Sequence, residues 1–172
     1  MHWLLTTFVL CVIVFAPMAV EAARAARNEA AQRARGGIEP PGDVYKMMRV
    51  AYPAAFLAMI AEGAARGGPP RAWLVAGLLL FAAAKALKWW AVVSLGPFWT
   101  FRVIVVPGAR LVTAGPYRFL RHPNYVAVIG ELVAVAMMTG ARVTGPIATL
   151  GFALLIARRI AIEDRALRLA RR

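Results

Sequence analysis

The chain has 172 residues, of which 61% are hydrophobic, and it carries a formal net charge of +13. Its mean hydropathy of +0.64 is that of a chain more apolar than a soluble domain, in which about half of the residues are apolar. A basic chain this apolar is expected to meet anionic lipid or a small anionic molecule, and not nucleic acid. Its single cysteine excludes an internal disulfide, and its two histidines, far apart in sequence, argue against a conventional metal site.

Five apolar segments predict an all-α, polytopic integral membrane protein with about five spanning helices. In chain order they cover residues 3–23, 48–65, 72–95, 125–139 and 143–162. The first lacks a basic start and is too long for a signal peptide, so it is interpreted as a spanning helix. The fourth is short for a span of about 20 residues. It either starts inside the polar turn that precedes it, residues 115–125, or forms a tight hairpin with the fifth segment.

The segment between the first two helices, residues 22–35, is rich in alanine, arginine, glutamate and glutamine. It either continues the first helix out of the membrane or lies on the membrane surface. Further on, Lys85 and Lys88 precede Trp89 and Trp90. This pattern is typical of cations that extend to the membrane surface beside an aromatic belt.

Glu131 lies within the fourth apolar segment, where an unpaired carboxylate would be costly. Two interpretations stay open from the sequence. Glu131 takes part in catalysis, or it is a structural partner of an arginine such as Arg102 or Arg159.

Arginine and lysine are concentrated in alternate loops. None precedes the first segment and only Arg142 lies between the last two, whereas the loop at 24–47, the linker after residue 95 and the tail, with Arg171 and Arg172, are rich in them. The positive-inside rule therefore predicts an external N-terminus and a cytoplasmic C-terminus. The alanine-, arginine- and glycine-rich composition suggests a bacterial inner membrane.

The chain is predicted to form one membrane domain with two parts. Residues 1–95 hold the first three helices and the cytoplasmic loop at 24–47. Residues 96–172 hold a linker with Gly-Pro and Pro-Gly turn signals, then a helical hairpin and the tail. We expect the binding chemistry in this second part, because its polar residues are grouped at two points.

The first polar group, residues 115–125, reads Gly-Pro-Tyr-Arg-Phe-Leu-Arg-His-Pro-Asn-Tyr, and the second is residues 158–164. Each lies at an end of a neighbouring helix, so the two can form one site. Tyr117 and Tyr125 offer flat faces and hydroxyls, and Glu163 can accept hydrogen bonds from paired ribose hydroxyls. This set suits an adenosine-type cofactor beside the membrane. The chain has no Gly-x-Gly-x-x-Gly and no Gly-Lys-Ser/Thr loop, which excludes the common soluble nucleotide folds.

These residues resemble the isoprenylcysteine carboxyl methyltransferases and their bacterial relatives over about residues 90–167. The resemblance is carried by Leu111-Val112, Gly115-Pro116-Tyr117-Arg118, Arg121-His122-Pro123-Asn124-Tyr125, and Arg159 with Glu163 four residues later. It implies S-adenosyl-L-methionine as cofactor and Arg159 as the group that holds the acceptor oxygen. Glu131 is a second candidate catalytic residue because of its position in an apolar segment, and not because of the resemblance. The cofactor contacts that it implies are Ala109, Arg110, Leu111, Val112, Tyr117, His122, Pro123, Asn124, Tyr125 and Glu163.

The resemblance implies a membrane O-methyltransferase with an amphiphilic acceptor. That acceptor is a long-chain phenol or enol such as an alkylresorcinol or alkylpyrone, or a prenylcysteine-type carboxylate. Two alternatives stay open. His-Pro-Asn-Tyr followed by Gly130-Glu131 also resembles membrane sterol reductases, which bind NADPH, and Arg110 and Arg118 could meet its 2′-phosphate. The last alternative is a non-enzymatic scaffold that binds anionic lipid by summed charge.

Overall fold

The computed structural model describes residues 2–169, with side chains for residues 5–168. The described chain forms five α-helices, which confirms the all-α prediction, and a lone Ile38–Val105 bridge. The predicted tail arginines Arg171 and Arg172 lie outside the described residues. The helices are α1 (His2–Ala34), α2 (Tyr45–Arg66), α3 (Arg71–Leu95), α4 (Pro123–Thr139) and α5 (Thr144–Leu169), with 3-10 turns at Gly96–Phe98 and Gly115–Arg118.

Within the described residues, three helical stretches are long and apolar enough to cross a membrane: Leu5–Ala34, Arg71–Phe98 and Thr144–Arg168. This count is lower than the predicted five. The helix α2 carries charged residues near both ends, and α4 has only 17 residues. As expected, α4 starts inside the polar turn, at Pro123, and it also forms a short hairpin with α5.

The core lies where α4 packs against α2, α3 and α5. Phe56 and Met59 of α2 and Leu132 and Met138 of α4 are fully buried there. Small residues let these helices approach closely, as is common in membranes. A methyl group at Gly77 of α3, for example, would lie 2.8 Å from the backbone nitrogen of Met138.

The segment at 22–35 continues α1 beyond the apolar stretch and does not form a separate surface element. Its polar side chains bind the loop that follows α3. Asn28 donates through Nδ2 to the carbonyls of Gly96 (3.0 Å) and Trp99 (2.7 Å), and Gln32 donates through Nε2 to the carbonyl of Pro97 (3.0 Å). The end of α1 therefore holds the start of the linker that leads to the polar turn.

Four charged side chains from α1, α3 and α4 are buried together: Glu21, Lys85, Lys88 and Glu131, which we call the buried charge cluster. Lys85 Nζ lies 2.7 Å from Glu21 and 3.1 Å from Glu131, and Lys88 Nζ lies 2.8 Å and 3.2 Å from the same two carboxylates. The prediction that the two lysines extend to the membrane surface is wrong. Both turn inward because two carboxylates lie within reach there.

The prediction that Glu131 pairs with an arginine such as Arg102 or Arg159 is also wrong. Its cationic partners are Lys85 and Lys88, and the hydroxyl of Tyr52 from α2 donates to it at 2.7 Å. The side chain is fully buried. Glu131 thus links three neighbouring helices through one carboxylate.

Candidate functional site

The two polar groups of the sequence meet at one end of the helical bundle. The hydroxyl of Tyr125, in the first turn of α4, donates to Glu163 Oε2 on α5 at 2.8 Å. The ring of His122 stacks on that of Tyr125 with centroids 5.5 Å apart, and its Nε2 lies 3.5 Å from Asp164. Residues about 40 positions apart in sequence therefore form one surface.

The polar turn is held by proline and glycine. Pro116 and Gly115 belong to the 3-10 turn Gly115–Arg118, and Gly115 has a positive φ of 60°. A Cβ there would collide with Ser94 at the end of α3, so only glycine fits this close approach. Pro123 occupies the first position of α4, where a missing N–H costs nothing. The turn is thus fixed against α3 before α4 begins.

Arg159 is the most connected side chain of the site and is only 5% exposed. Its Nε donates to the hydroxyl of Tyr125 at 2.9 Å, and its Nη1 donates to Asp43 at 3.2 Å. Its Nη2 donates to the carbonyl of Phe101. Because Glu163 lies four residues further along α5, the two side chains share a helix face.

Asp43, just before α2, belongs to this network although its sequence position did not reveal it. Its side chain is 4% exposed. Besides Arg159, it accepts hydrogen bonds from the backbone nitrogens of Val103 (3.0 Å) and Tyr45 (3.1 Å). The available signal was an acidic residue next to a glycine at a helix start, a common position for a carboxylate that binds backbone amides.

A cavity of about 330 Å³, which we call the polar cavity, lies between the linker, the polar turn and α5. Arg159 lines it. So does every predicted cofactor residue except Pro123, which is buried in the α4 N-terminus. The predicted residues that it gathers are Ala109, Arg110, Leu111, Val112, Tyr117, His122, Asn124, Tyr125 and Glu163.

Several groups in the polar cavity can bind a ligand. His122 Nε2 is buried and makes no hydrogen bond within the described residues, although the Asp164 carboxylate lies 3.5 Å away. Among the described backbone hydrogen bonds outside helices, none is donated by residues 110–113, so their N–H groups can bind a ligand. Burial, and then the nearby Glu163 carboxylate, raise the pKa of Tyr117 well above its ordinary value, so its hydroxyl remains a neutral donor.

A second cavity of about 230 Å³, which we call the apolar cavity, lies inside the bundle beside the first. Much of its wall is apolar, with Met18, Met48, Val128 and Phe152. The two cavities share four lining residues: Thr100, Asn124, Tyr125 and Arg159. Glu131 is among the lining residues of neither.

Comparison with known proteins places this sequence in a family. The family model for the isoprenylcysteine carboxyl methyltransferase (ICMT) family matches residues 75–169, which include both polar groups. An uncharacterized protein, YpbQ, of Bacillus subtilis is 33% identical over 167 residues, which cover 97% of this chain and 96% of that protein. An uncharacterized protein of Haemophilus influenzae is 25% identical over 142 residues, 82% of this chain and 83% of its own length. No solved structure matches significantly.

The chain belongs to the isoprenylcysteine carboxyl methyltransferase family, as its motifs predicted. Together with the three long apolar helices, this makes it an integral membrane protein of a methyltransferase family.

Proposed function

We propose that this member of the isoprenylcysteine carboxyl methyltransferase family is an S-adenosylmethionine-dependent O-methyltransferase that acts in the membrane on an amphiphilic acceptor. The observation that carries the proposal is the position of Arg159 and Tyr125, which line both the polar and the apolar cavity. A group-transfer enzyme needs such a boundary, because methyl donor and acceptor must meet while each occupies a pocket of its own polarity.

The residues of the polar cavity fit the cofactor. Its volume falls in the range of about 300–1,000 Å³ that is usual for small-molecule sites. Glu163 can accept from ribose hydroxyls or an amino group, and the Nε2 of His122 and the N–H groups of residues 110–113 can bind further polar atoms. When bound, S-adenosylmethionine supplies the electrophilic methyl group for an in-line displacement.

Arg159 is the proposed catalytic residue, and it acts on the acceptor oxygen. A guanidinium has five N–H donors. Four of them are used by Tyr125, Asp43, Phe101 and the sulfur of Met48, so one remains for the acceptor. The fixed positive charge stabilises the phenolate or enolate that forms when the acceptor loses its proton to solvent. The attacking oxygen then takes the methyl group, and S-adenosylhomocysteine is the leaving group. A carboxylate acceptor would already be ionised and would need only to be oriented.

We favour a long-chain phenol or enol, such as an alkylresorcinol or alkylpyrone, over a prenylcysteine carboxylate. The relatives with high coverage are bacterial proteins, and prenylated C-terminal cysteines are not expected in bacteria. The apolar cavity offers Met48, Val128 and Phe152 to a hydrophobic ring or chain. Glu131 lines neither cavity, so we assign it to the buried charge cluster and not to contact with the acceptor.

We further propose that the polar cavity faces the cytoplasm of a bacterial cell. Arg24, Arg27, Arg121 and Arg158 all belong to the end of the bundle at which α1 meets the linker. The positive-inside rule supports a cytoplasmic position for this end, where the cofactor is made.

The test is calorimetric titration of the detergent-purified protein with S-adenosylhomocysteine, and with NADPH in parallel. Each titration is done with and without added membrane lipid. We expect saturable binding of S-adenosylhomocysteine alone. Binding of NADPH alone would overturn the proposal in favour of a reductase. Binding of neither ligand, even with lipid present, would overturn it in favour of a lipid-binding scaffold.

A further inference from the structure

Besides the exposed Arg49, the apolar cavity has charged and hydroxyl groups from two separate sources. Arg159 and Tyr125 belong to the boundary with the polar cavity. Glu21, Lys88 and Tyr52 also line the apolar cavity, and they belong to, or contact, the buried charge cluster. A ligand in this cavity therefore meets charged groups beyond those expected to hold the methylated oxygen.

A gain in stability alone does not explain why the buried charge cluster is present. Its charges sum to zero, with two lysines and two glutamates, yet Glu21, Lys88 and Glu131 are each at most 2% exposed. Removing charges from water costs about as much as, or more than, their mutual attraction returns, and apolar side chains of similar volume often stabilise a protein better. Ionisable groups inside a membrane domain are therefore candidates for function.

Only half of the cluster contacts the cavity. Lys88 and Glu21 line it, whereas Lys85 and Glu131 are not among its lining residues. The ammonium group of Lys88 has three hydrogens. Glu21 takes one at 2.8 Å, and the two oxygens of Glu131, at 3.2 and 3.4 Å, share a second. One donor of Lys88 therefore remains for a group in the cavity.

We propose that Lys88 and Glu21 form a second recognition site, which binds an oxygen of the acceptor other than the one that is methylated. The assignment of the ligand as a methyl acceptor rests on the proposed function. The acceptor would then have two hydrogen-bonding oxygens on one compact ring: one beside Arg159 and one beside Lys88. A dihydroxy or hydroxy-carbonyl ring fits this requirement, whereas a ring with a single hydroxyl leaves the Lys88 donor unmatched.

The experiment compares two acceptors with the same alkyl chain, a 3-alkylphenol and a 5-alkylresorcinol, which differ by one hydroxyl. Methyl transfer from labelled S-adenosylmethionine gives kcat/KM for each acceptor. We expect the wild-type protein to favour the dihydroxy ring by about tenfold or more, because a buried polar group left unpaired is costly.

Two double variants, each without net change in charge, separate recognition from structure. Lys88→Met with Glu21→Gln removes the pair that lines the cavity and leaves Lys85 beside Glu131 at 3.1 Å. Lys85→Met with Glu131→Gln removes the other pair and leaves Lys88 beside Glu21 at 2.8 Å. We expect the first variant to lose the preference for the dihydroxy ring and the second to retain it. Equal preferences in the two variants, or no preference in the wild type, would overturn the proposal.

A binding measurement distinguishes the failure of this inference from that of the proposed function. The dissociation constants of both alkyl ligands are measured by thermophoresis without cofactor, and S-adenosylhomocysteine binding is measured on the same samples. A dihydroxy preference that depends on Lys88 and Glu21, without cofactor binding, would support the recognition site and overturn the methyltransferase proposal. Cofactor binding without any preference between the two alkyl ligands would support the methyltransferase proposal and overturn the recognition site.

Discussion

The hydroxyl of Tyr125 donates a hydrogen bond to the carboxylate of Glu163 across 2.8 Å and so joins the first turn of α4 to the C-terminal half of α5. The same hydroxyl accepts a hydrogen bond from Arg159 at 2.9 Å. One phenol therefore connects the carboxylate proposed to bind the cofactor with the guanidinium proposed to bind the acceptor. Substitutions on either side of it should separate binding of the cofactor from turnover.

Glu163→Gln should weaken S-adenosylhomocysteine binding by about 10- to 100-fold, because a hydrogen bond to a charged group contributes about 1.5–3 kcal/mol. Tyr125→Phe should weaken it as well, since Glu163 then loses its donor. Calorimetric titration checks both variants. The matched control is Glu29→Gln, which removes a carboxylate that pairs with Arg102 and lies outside the polar cavity. Equal affinity of Glu163→Gln and wild type would show that the cofactor site is assigned wrongly.

Arg159→Met should lower kcat by about 10²-fold or more while the affinity for S-adenosylhomocysteine stays within a few fold. Removing one preorganised donor to a reacting oxygen usually has an effect of this size. The measurements are labelled-methyl transfer and calorimetric titration. The neighbouring Arg158→Met is the control, because Arg158 is exposed and has the same charge. A parallel loss of activity in both variants would point to summed charge and not to a positioned guanidinium.

The sequence was sufficient for the parts of the site that are close together in the chain. The turn at 115–125 and the pair Arg159 and Glu163 are local patterns, and the structure brings them to one cavity. Their meeting followed from a simple argument, because adjacent antiparallel helices place the start of one beside the end of the next. Hydropathy also predicted the five helices, but only three stretches of the described chain are long and apolar enough to span a membrane.

The buried charge cluster could not be predicted in the same way. Lys85 and Lys88 stand beside two tryptophans near the end of an apolar segment, which is the local pattern of a membrane-surface cation. Their true partners, Glu21 and Glu131, lie more than 40 residues away on two other helices. A charge count would have helped, since two lysines and two glutamates within apolar segments can neutralise one another.

Asp43→Ala should lower both stability and turnover. The change removes the acceptor of Arg159, Val103 and Tyr45, and each buried donor left unpaired costs about 1–3 kcal/mol. The midpoint of thermal unfolding in detergent should fall, and kcat should fall more than the affinity for S-adenosylhomocysteine. Asp43→Asn keeps one acceptor oxygen and should recover part of both losses. Full activity of Asp43→Ala would mean that Arg159 holds its position without this carboxylate.

Gly77→Ala should destabilise the helix bundle by about 1–3 kcal/mol, the usual cost of overpacking. The new methyl group would lie 2.8 Å from the backbone nitrogen of Met138 and 2.9 Å from the carbonyl oxygen of Ala134, and backbone atoms inside α4 cannot easily move away.

Gly151→Ala is the matched control, because nothing lies within 4 Å of its added methyl group. Alanine favours the helix by up to about 1 kcal/mol over glycine, so this variant should be neutral or slightly more stable. Chemical unfolding of both variants in detergent measures the difference. If Gly77→Ala were as stable as Gly151→Ala, α3 and α4 would not pack as closely as the structure shows. The turn at Gly115 packs against the end of α3, so a different position of α3 would also change what holds this turn.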